Sequence, residues 1–235
     1  MIQINHLSKS YQGKKVLDIE QLSIPSGESF GLVGNNGAGK TTLFSLLLDL
    51  IQPDQGRIDN HSVAVFSSEK WKTFTSAFID DSFIIDYLTA EEYFEFIGSL
   101  RGIASKDIRS QLEGFSSFFN GEVWDQKKYL RDFSKGNQKK VGLAAAFLGQ
   151  PKLIVLDEPF ANLDPSSQFK LKAFLGEMAK EKEATLLISS HDLNHVTEVC
   201  SRIVLLDKGE IKRDLQTHST TLKELEAYFS GEDTY

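Results

Sequence analysis

A single cysteine, Cys200, occurs in 235 residues, which excludes an internal disulfide and fits a reducing compartment. No apolar run approaches the ~18 residues that a membrane span needs, so any tie to a membrane is expected to pass through a partner. The N-terminal MIQINHLSKSYQG lacks the basic region and apolar core of a secretory signal. A basic surplus is missing too: 26 Lys and Arg stand against 33 Asp and Glu, for a net charge of −7. General nucleic-acid binders are usually basic, so nucleic acid is not an expected partner, although a local basic pocket remains open to one polyanion. Internal repeats and low-complexity linkers are also lacking, and the chain reads as one folded unit.

What is present is an alternation of short apolar runs with amphipathic stretches. SFGLVG (29–34), LIVLDE (153–158), TLLISS (185–190) and IVLLD (203–207) are compact and carry no polar alternation. Such runs predict strands buried on both faces, as in a parallel sheet covered by helices. KTTLFSLLLDLI (40–51), PSSQFKLKAFLGEMAKEK (165–182) and DLNHVTEVC (192–200) have helical character, and the βαβ rhythm predicts an α/β fold. Residues 2–28 alternate apolar and polar side chains between Gly and Pro breaks and predict a small antiparallel β-layer. From Thr89 to about Gly149 no strand pattern occurs. Thr89 and Glu92 form a capping-box pair that opens a helix through Leu100, residues 105–119 predict a second helix, and residues 132–149 a third. The expected organisation is one domain: an α/β core of residues 1–88 and 150–235 with a helical subdomain, 89–149, inserted.

Residues 34–41, GNNGAGKT, match G-x-x-x-x-G-K-[ST] between a strand and a helix. Glycines let backbone N–H groups turn inward around phosphate oxygens. Lys40 is placed to reach the β- and γ-phosphates and the Thr41 hydroxyl to ligate Mg²⁺, making Gly34, Asn35, Asn36, Gly37, Ala38, Gly39, Lys40, Thr41 and Thr42 the candidate nucleotide-binding set. LIVLDEP (153–159) supplies the complement. A buried strand ending in a carboxylate puts Asp157 at the carboxyl edge of the sheet, where ligands of open α/β sheets bind. Asp157 is a candidate Mg²⁺ ligand and Glu158 a candidate general base for an attacking water. Taken alone, either motif is also an ordinary turn, and the pairing of the two carries the reading.

Residues 132–141, DFSKGNQKKV, stack lysines at the start of a helix, where acidic residues are normally favoured. A surface loop with solvated charges explains this, and so does an anion arriving at the helix N-terminus.

With these motifs in hand, almost the whole chain resembles the nucleotide-binding subunit of an ATP-binding-cassette (ABC) transporter. FSKGNQKKV is similar to that family's signature, LSGGQ followed by a basic stretch. It departs from it at Phe133, Lys135 and Asn137. The resemblance implies a P-loop ATPase that works as a head-to-tail dimer, with Ser134, Lys135, Gly136 and Asn137 closing over ATP held by the other subunit. It further implies that His191 is a switch residue touching the γ-phosphate, and that Tyr11 stacks on adenine. It places Asp164, in ANLD (161–164), in the loop between the two sites, although Asp164-Pro165 equally suits a helix cap. The loop to the helical lobe usually carries a Gln eight residues before a Leu-Thr pair, and here that position is Asp80. Asp80 is thereby a candidate near Mg²⁺ and the membrane partner, or else a solvated loop residue. A rival metal site at His191, His195 and Cys200 lacks further ligands to complete it.

The stretch from Tyr87 to Thr89, with EEYFEF after it, most resembles exporter-type subunits. The implied function is ATP hydrolysis that drives separate transmembrane permease subunits, with the chain peripheral on the cytoplasmic side of the membrane. A soluble ABC ATPase of cluster assembly, translation or DNA maintenance is the alternative. It is less favoured because translation members usually carry two cassettes and DNA-maintenance members insert a long coiled coil. A small-molecule kinase would share the phosphate loop but has no need of the signature.

Overall fold

The apolar runs without polar alternation become the inner strands of a six-stranded sheet, as burial on two faces requires. The computed structural model describes residues 1–181 and 184–231. It begins with β1 (Ile2–Tyr11) and β2 (Lys14–Ile24), followed by β3 (Ser29–Val33) and α1 (Lys40–Leu47). Next come β4 (Gln55–Asn60), β5 (Val63–Ala64) and β6 (Thr75–Phe78). The helical section holds α2 (Ala90–Leu100), α3 (Ser105–Gln111), α4 (Ser116–Phe119) and α5 (Lys135–Ala145). The chain returns through β7 (Leu153–Leu156), α6 (Pro165–Glu181), β8 (Thr185–Ser190) and α7 (Leu193–Val199), and continues with β9 (Arg202–Asp207), β10 (Glu210–Gln216) and α8 (Thr221–Ser230).

The larger sheet has the order β10-β9-β3-β8-β7-β6. All its pairs are parallel except β9 with β10. A second, antiparallel sheet has the order β2-β1-β4-β5. Successive side chains of a strand point to opposite faces, and both faces of the large sheet are covered. Ile154, Leu156, Leu186 and Ile188 enter one core with the helical section. Leu153, Val155 and Leu187 enter another with α1 and the antiparallel sheet. The first core contains an aromatic group in which the Phe115 ring lies 4.3 Å from Phe174 of α6 and 5.2 Å from Phe147. That contact fastens the helical section to the core of the sheet.

Several local expectations are corrected. The helix expected over 40–51 stops at Leu47. Asp49 takes φ 54°, and the bonds Asp49 N–Leu46 O and Leu50 N–Ser45 O close a Schellman-type end. The single helix expected over 105–119 is two. Between α3 and α4 the chain tightens to a 3₁₀ turn at Glu113–Phe115, where the Gly114 backbone comes close to the Phe174 ring. Of the helix expected over 165–182, Lys182 lies outside the described residues. The antiparallel sheet extends beyond residues 2–28 to include β4 and β5, while β10 and α8 had no expectation attached to them.

Close packing between α5 and β6 gives a direct test of the fold. A methyl group at Gly142 would overlap the Phe78 ring and stand 3.1 Å from Ile84 Cδ1. Gly142→Ala is expected to lower the unfolding free energy by about 1–3 kcal/mol, read from urea denaturation at unchanged m value. A change below about 0.5 kcal/mol, the size of an ordinary surface substitution, would mean that the helix and strand are not pressed together here.

Candidate nucleotide-binding and hydrolysis site

The phosphate loop turns between β3 and α1 because no side chain fits where its ends meet the sheet. A Cβ at Gly34 would overlap the Leu206 carbonyl, and Gly39 takes φ 111° with its hypothetical Cβ 2.9 Å from Val16 O. Gly39 leads directly into α1. Asn35, Asn36 and Gly37 are exposed at the rim, Ala38 is buried, and Thr42 is half-buried within the helix. Lys40 is buried, and its ammonium donates to Gly34 O at 2.7 Å and lies 3.5 Å from Glu158 Oε1. The loop therefore brings exposed backbone N–H groups, a helix N-terminus and a buried cation to one place, which is what a polyphosphate requires.

Asp157 and Glu158 follow β7 at the carboxyl edge of the sheet. The Thr41 hydroxyl donates to Asp157 Oδ2 at 2.6 Å, and the Ser189 hydroxyl donates to Asp157 Oδ1. Burial holds the Asp157 carboxyl above its ordinary range, and these two hydrogen bonds oppose the shift. A hydroxyl and a carboxylate meeting here are hard oxygen donors of the kind magnesium takes. The imperfectly compensated charge of Asp157 is one that a divalent cation would neutralise, so the residues present fit Mg²⁺.

Glu158 is held from several sides. Its Oε2 lies 2.8 Å from His191 Nδ1, and its backbone N–H donates to Ser189 Oγ at 2.9 Å. Its φ of 47° is left-handed, a conformation that costs a side-chain-bearing residue ~1–3 kcal/mol and persists only when surroundings enforce it. Lys40, Thr41, Asp157, Glu158 and His191 thus form one connected group. Ser189 belongs to it and had escaped sequence reading, because a serine at the end of an apolar strand carries no motif.

The lysine run at the start of α5 is corrected in part. Ser134 caps the helix, its Oγ accepting from Asn137 N at 3.2 Å; a hydroxyl that accepts can still donate its hydrogen. Lys135 bonds Gln138 Oε1 at 3.0 Å. Lys139 and Lys140, however, point inward. Lys139 donates to Glu158 O at 2.7 Å, and Lys140 pairs with Glu122 at 2.8 Å. These two ammonium groups are occupied within the subunit, so an arriving anion does not account for them. Among the described residues no hydrogen bond or ion pair joins 134–137 to 34–42. Gly136 instead sits beside Asn162, with 3.4 Å between its hypothetical Cβ and the Asn162 carbonyl, so the signature adjoins the ANLD loop.

Asp164 caps α6, accepting from Ser167 N at 3.0 Å and from Ser167 Oγ at 2.5 Å. Tyr11 ends β1 with 48% of its surface exposed and the Lys9 ammonium 5.5 Å from its ring. Asp80 accepts from Ser82 N at 2.7 Å, and those bonds to Ser82 hold its carboxyl below the ordinary range. The residues of the rival metal site have separate surroundings: His191 faces Glu158, the His195 ring lies 4.5 Å from that of Phe160, and Cys200 is buried against Gly31.

Comparison with known proteins bears on the family and the fold. Residues 17–161 match the family model described as ABC transporter. The ABC transporter ATP-binding protein NatA of Bacillus subtilis is 30% identical over 218 residues, covering 90% of this chain and 87% of NatA. An uncharacterized ABC transporter ATP-binding protein of Synechocystis is 33% identical over 204 residues, covering 86% of this chain, which spans only 57% of that relative. The bacitracin transport ATP-binding protein BcrA of Enterococcus faecalis is 29% identical and covers 92% of this chain, or 69% of BcrA. A solved ATP-binding subunit of an ABC transporter superposes with a TM-score of 0.83 at 25% identity, covering all of this chain and 95% of the other. The dimeric cassette MJ0796, bound to ADP and Pi in a post-hydrolysis state, has the same fold, with a TM-score of 0.82 at 22% identity over 93% of this chain and all of that one.

Because Ser189 supports both Asp157 and the Glu158 main chain, Ser189→Ala is expected to weaken magnesium binding. The free Mg²⁺ giving half-maximal ATP hydrolysis should rise about tenfold, the usual cost of losing a partner to a metal ligand. A titration curve superimposable on wild type would remove Ser189 from this role.

Proposed function

The chain belongs to the ABC transporter family of ATP-binding proteins, and on that premise we propose that two copies, or this chain and a homologous subunit, sandwich two Mg-ATP head to tail. Their closure and ATP hydrolysis drive a transporter whose membrane-spanning permease subunits are separate chains. The observation that carries the reading is the Glu158 carboxylate, held between Lys40 and His191 beside the Thr41–Asp157 pair.

The phosphate loop, from Gly34 to Thr42, holds the triphosphate through backbone N–H groups and through Lys40, which exchanges its present partners, Gly34 O and Glu158, for the β- and γ-oxygens. Thr41 and Asp157 would hold magnesium, with Asp80 a further candidate near it, and the ion would neutralise charge on the phosphates. Glu158 takes a proton from the attacking water, and His191 keeps the carboxylate oriented through Nδ1 while facing the γ-phosphate. Tyr11 stacks on adenine. Ser134, Lys135, Gly136 and Asn137 complete the partner's site, and Asp164 links the two. Hydrolysis cleaves the γ-phosphoryl group from ADP, and once inorganic phosphate leaves, the link between the halves is lost and they reopen.

Among the described residues no helix is long and apolar enough to cross a membrane. The coupling proposed is to separate permease subunits at the cytoplasmic face. An apolar groove of about 400 Å³ beside Asp80, lined by Leu50, Trp71, Phe78, Phe83, Ile84 and Tyr93, is the proposed seat of the permease. The direction proposed is export, on the resemblance of residues 87–96 to exporter-type subunits.

Glu158→Gln is expected to keep ATP binding while lowering turnover by about 10²–10⁴-fold, so that an ATP-bound dimer accumulates in sedimentation. Lys40→Ala is expected to lose binding itself. Undiminished hydrolysis in both would overturn the reading. Ser134→Arg in the Glu158→Gln background should leave the monomer's nucleotide affinity intact and abolish the dimer. Collapse of affinity in the monomer would mean that the signature serves its own subunit's nucleotide.

A further inference from the structure

Lys139 is a lysine with 5% of its surface exposed, in the buried part of α5 that begins at Gln138. Its ammonium donates to the backbone carbonyl of Glu158 at 2.7 Å. The N–H of the same residue is bonded to Ser189 Oγ. Glu158 is thus clamped at both of its peptide groups, at a position where φ is 47° and Pro159 follows. The residue before a proline has a restricted backbone, and a left-handed non-glycine residue there needs external restraint. Ser189 supplies that restraint from the sheet and Lys139 from the helical section, while Ala161 N also donates to the Glu158 carbonyl, at 3.2 Å, from within the turn.

The other surroundings of Lys139 belong to the turn after β6. Its ammonium lies 5.8 Å from the Phe78 ring. Asp81 Oδ1 is buried and has no hydrogen-bond partner among the described residues. Burial raises the Asp81 carboxyl, and the Lys139 charge is the largest influence opposing that rise. Burial likewise lowers the Lys139 ammonium, with Asp81 first and Glu158 second among the charges that offset it. One buried cation therefore answers to the turn holding Asp80 and Asp81 and to the main chain of Glu158, while standing on the helix that Ser134 caps.

We propose that Lys139 is a positioning residue for Glu158, making the placement of the base depend on how the signature helix is seated in the same subunit. Movement of α5 when Ser134 and Gly136 engage the partner's nucleotide is passed, one turn further along the helix, to the Glu158 carbonyl. The helix thus serves the partner's ATP at its tip and its own subunit's base along its side. The inference rests on Glu158 acting on water as proposed above.

The test compares Lys139→Met, Lys139→Gln, Glu158→Gln and the double variant Lys139→Met/Glu158→Gln in the full chain. Methionine keeps the length of the side chain but no donor, whereas glutamine keeps an N–H for the carbonyl. Lys139→Met is expected to lower kcat by about 10²-fold, the scale of loss from misplacing a catalytic group, with KM and equilibrium ATP affinity unchanged. Lys139→Gln should recover most of that loss, and the double variant should be no slower than Glu158→Gln alone, since coupled residues are not additive. Hydrogen exchange across 157–163 should quicken in Lys139→Met without nucleotide. Should Lys139→Met not fold, Asp81→Asn/Lys139→Met removes both buried charges together and carries the same measurements. A wild-type kcat in the methionine variant, an additive loss in the double variant, or an equal fall in ATP affinity would overturn the proposal. A Glu158→Gln enzyme that turns over normally would instead sink the reading beneath it, so the two failures are distinguishable.

Discussion

A carboxylate buried at the end of a parallel strand needs donors from its neighbours, and Asp157 takes one from each side. Thr41 reaches it from the first turn of α1, Ser189 from β8, and Ser189 also fixes the peptide of Glu158. The phosphate loop, the acidic strand end and the following strand are held in register by this one group. The cost of burying its charge is relieved only where those hydroxyls sit, and a cation would relieve it further. The arrangement that orders the site is therefore one that suits magnesium and phosphate.

The helical section adds a second constraint. It is joined to the sheet by packing at Phe115, Phe174 and Gly142 and by polar contacts through Lys139 and Arg101, whose guanidinium donates to Thr75 O at 3.1 Å. Aromatic packing tolerates small rotations, whereas a buried ammonium bonded to a carbonyl does not. On the proposed role of Lys139, movement of the helical section would be registered at Glu158 through this bond. The burial of Lys139 and Lys140 also changes the meaning of the basic run: two of its charges brace the subunit, leaving Ser134, Lys135 and the helix N-terminus to face outward.

Long apolar runs and glycine-bearing motifs were legible because their physics is local. LIVL, TLLIS and IVLL have too little polarity to stand anywhere but in a doubly covered sheet, and GNNGAGKT can only turn tightly. The capping box at Thr89 is present as read, Glu92 Oε2 accepting from Thr89 N and Thr89 Oγ1 from Glu92 N. What failed was local in appearance but tertiary in origin. The helix expected to reach Ile51 stops at Leu47, and the one expected over 105–119 breaks where Gly114 meets Phe174. The polar strand β4 exists because β1 offers it an edge, with little apolar alternation of its own.

Residue type and spacing by themselves determined the α/β class, the phosphate loop and the acidic pair after β7, since each follows from backbone freedom, burial and charge within a few residues. Only the tertiary structure decided that Ser189 and Lys139 belong with Glu158, 31 and 19 residues away in the chain. A serine and a lysine carry no sign of their partners. Whether a lysine faces solvent or a buried carbonyl depends on what the fold sets opposite it, and here the left-handed turn at Glu158 presents that carbonyl to the side of α5.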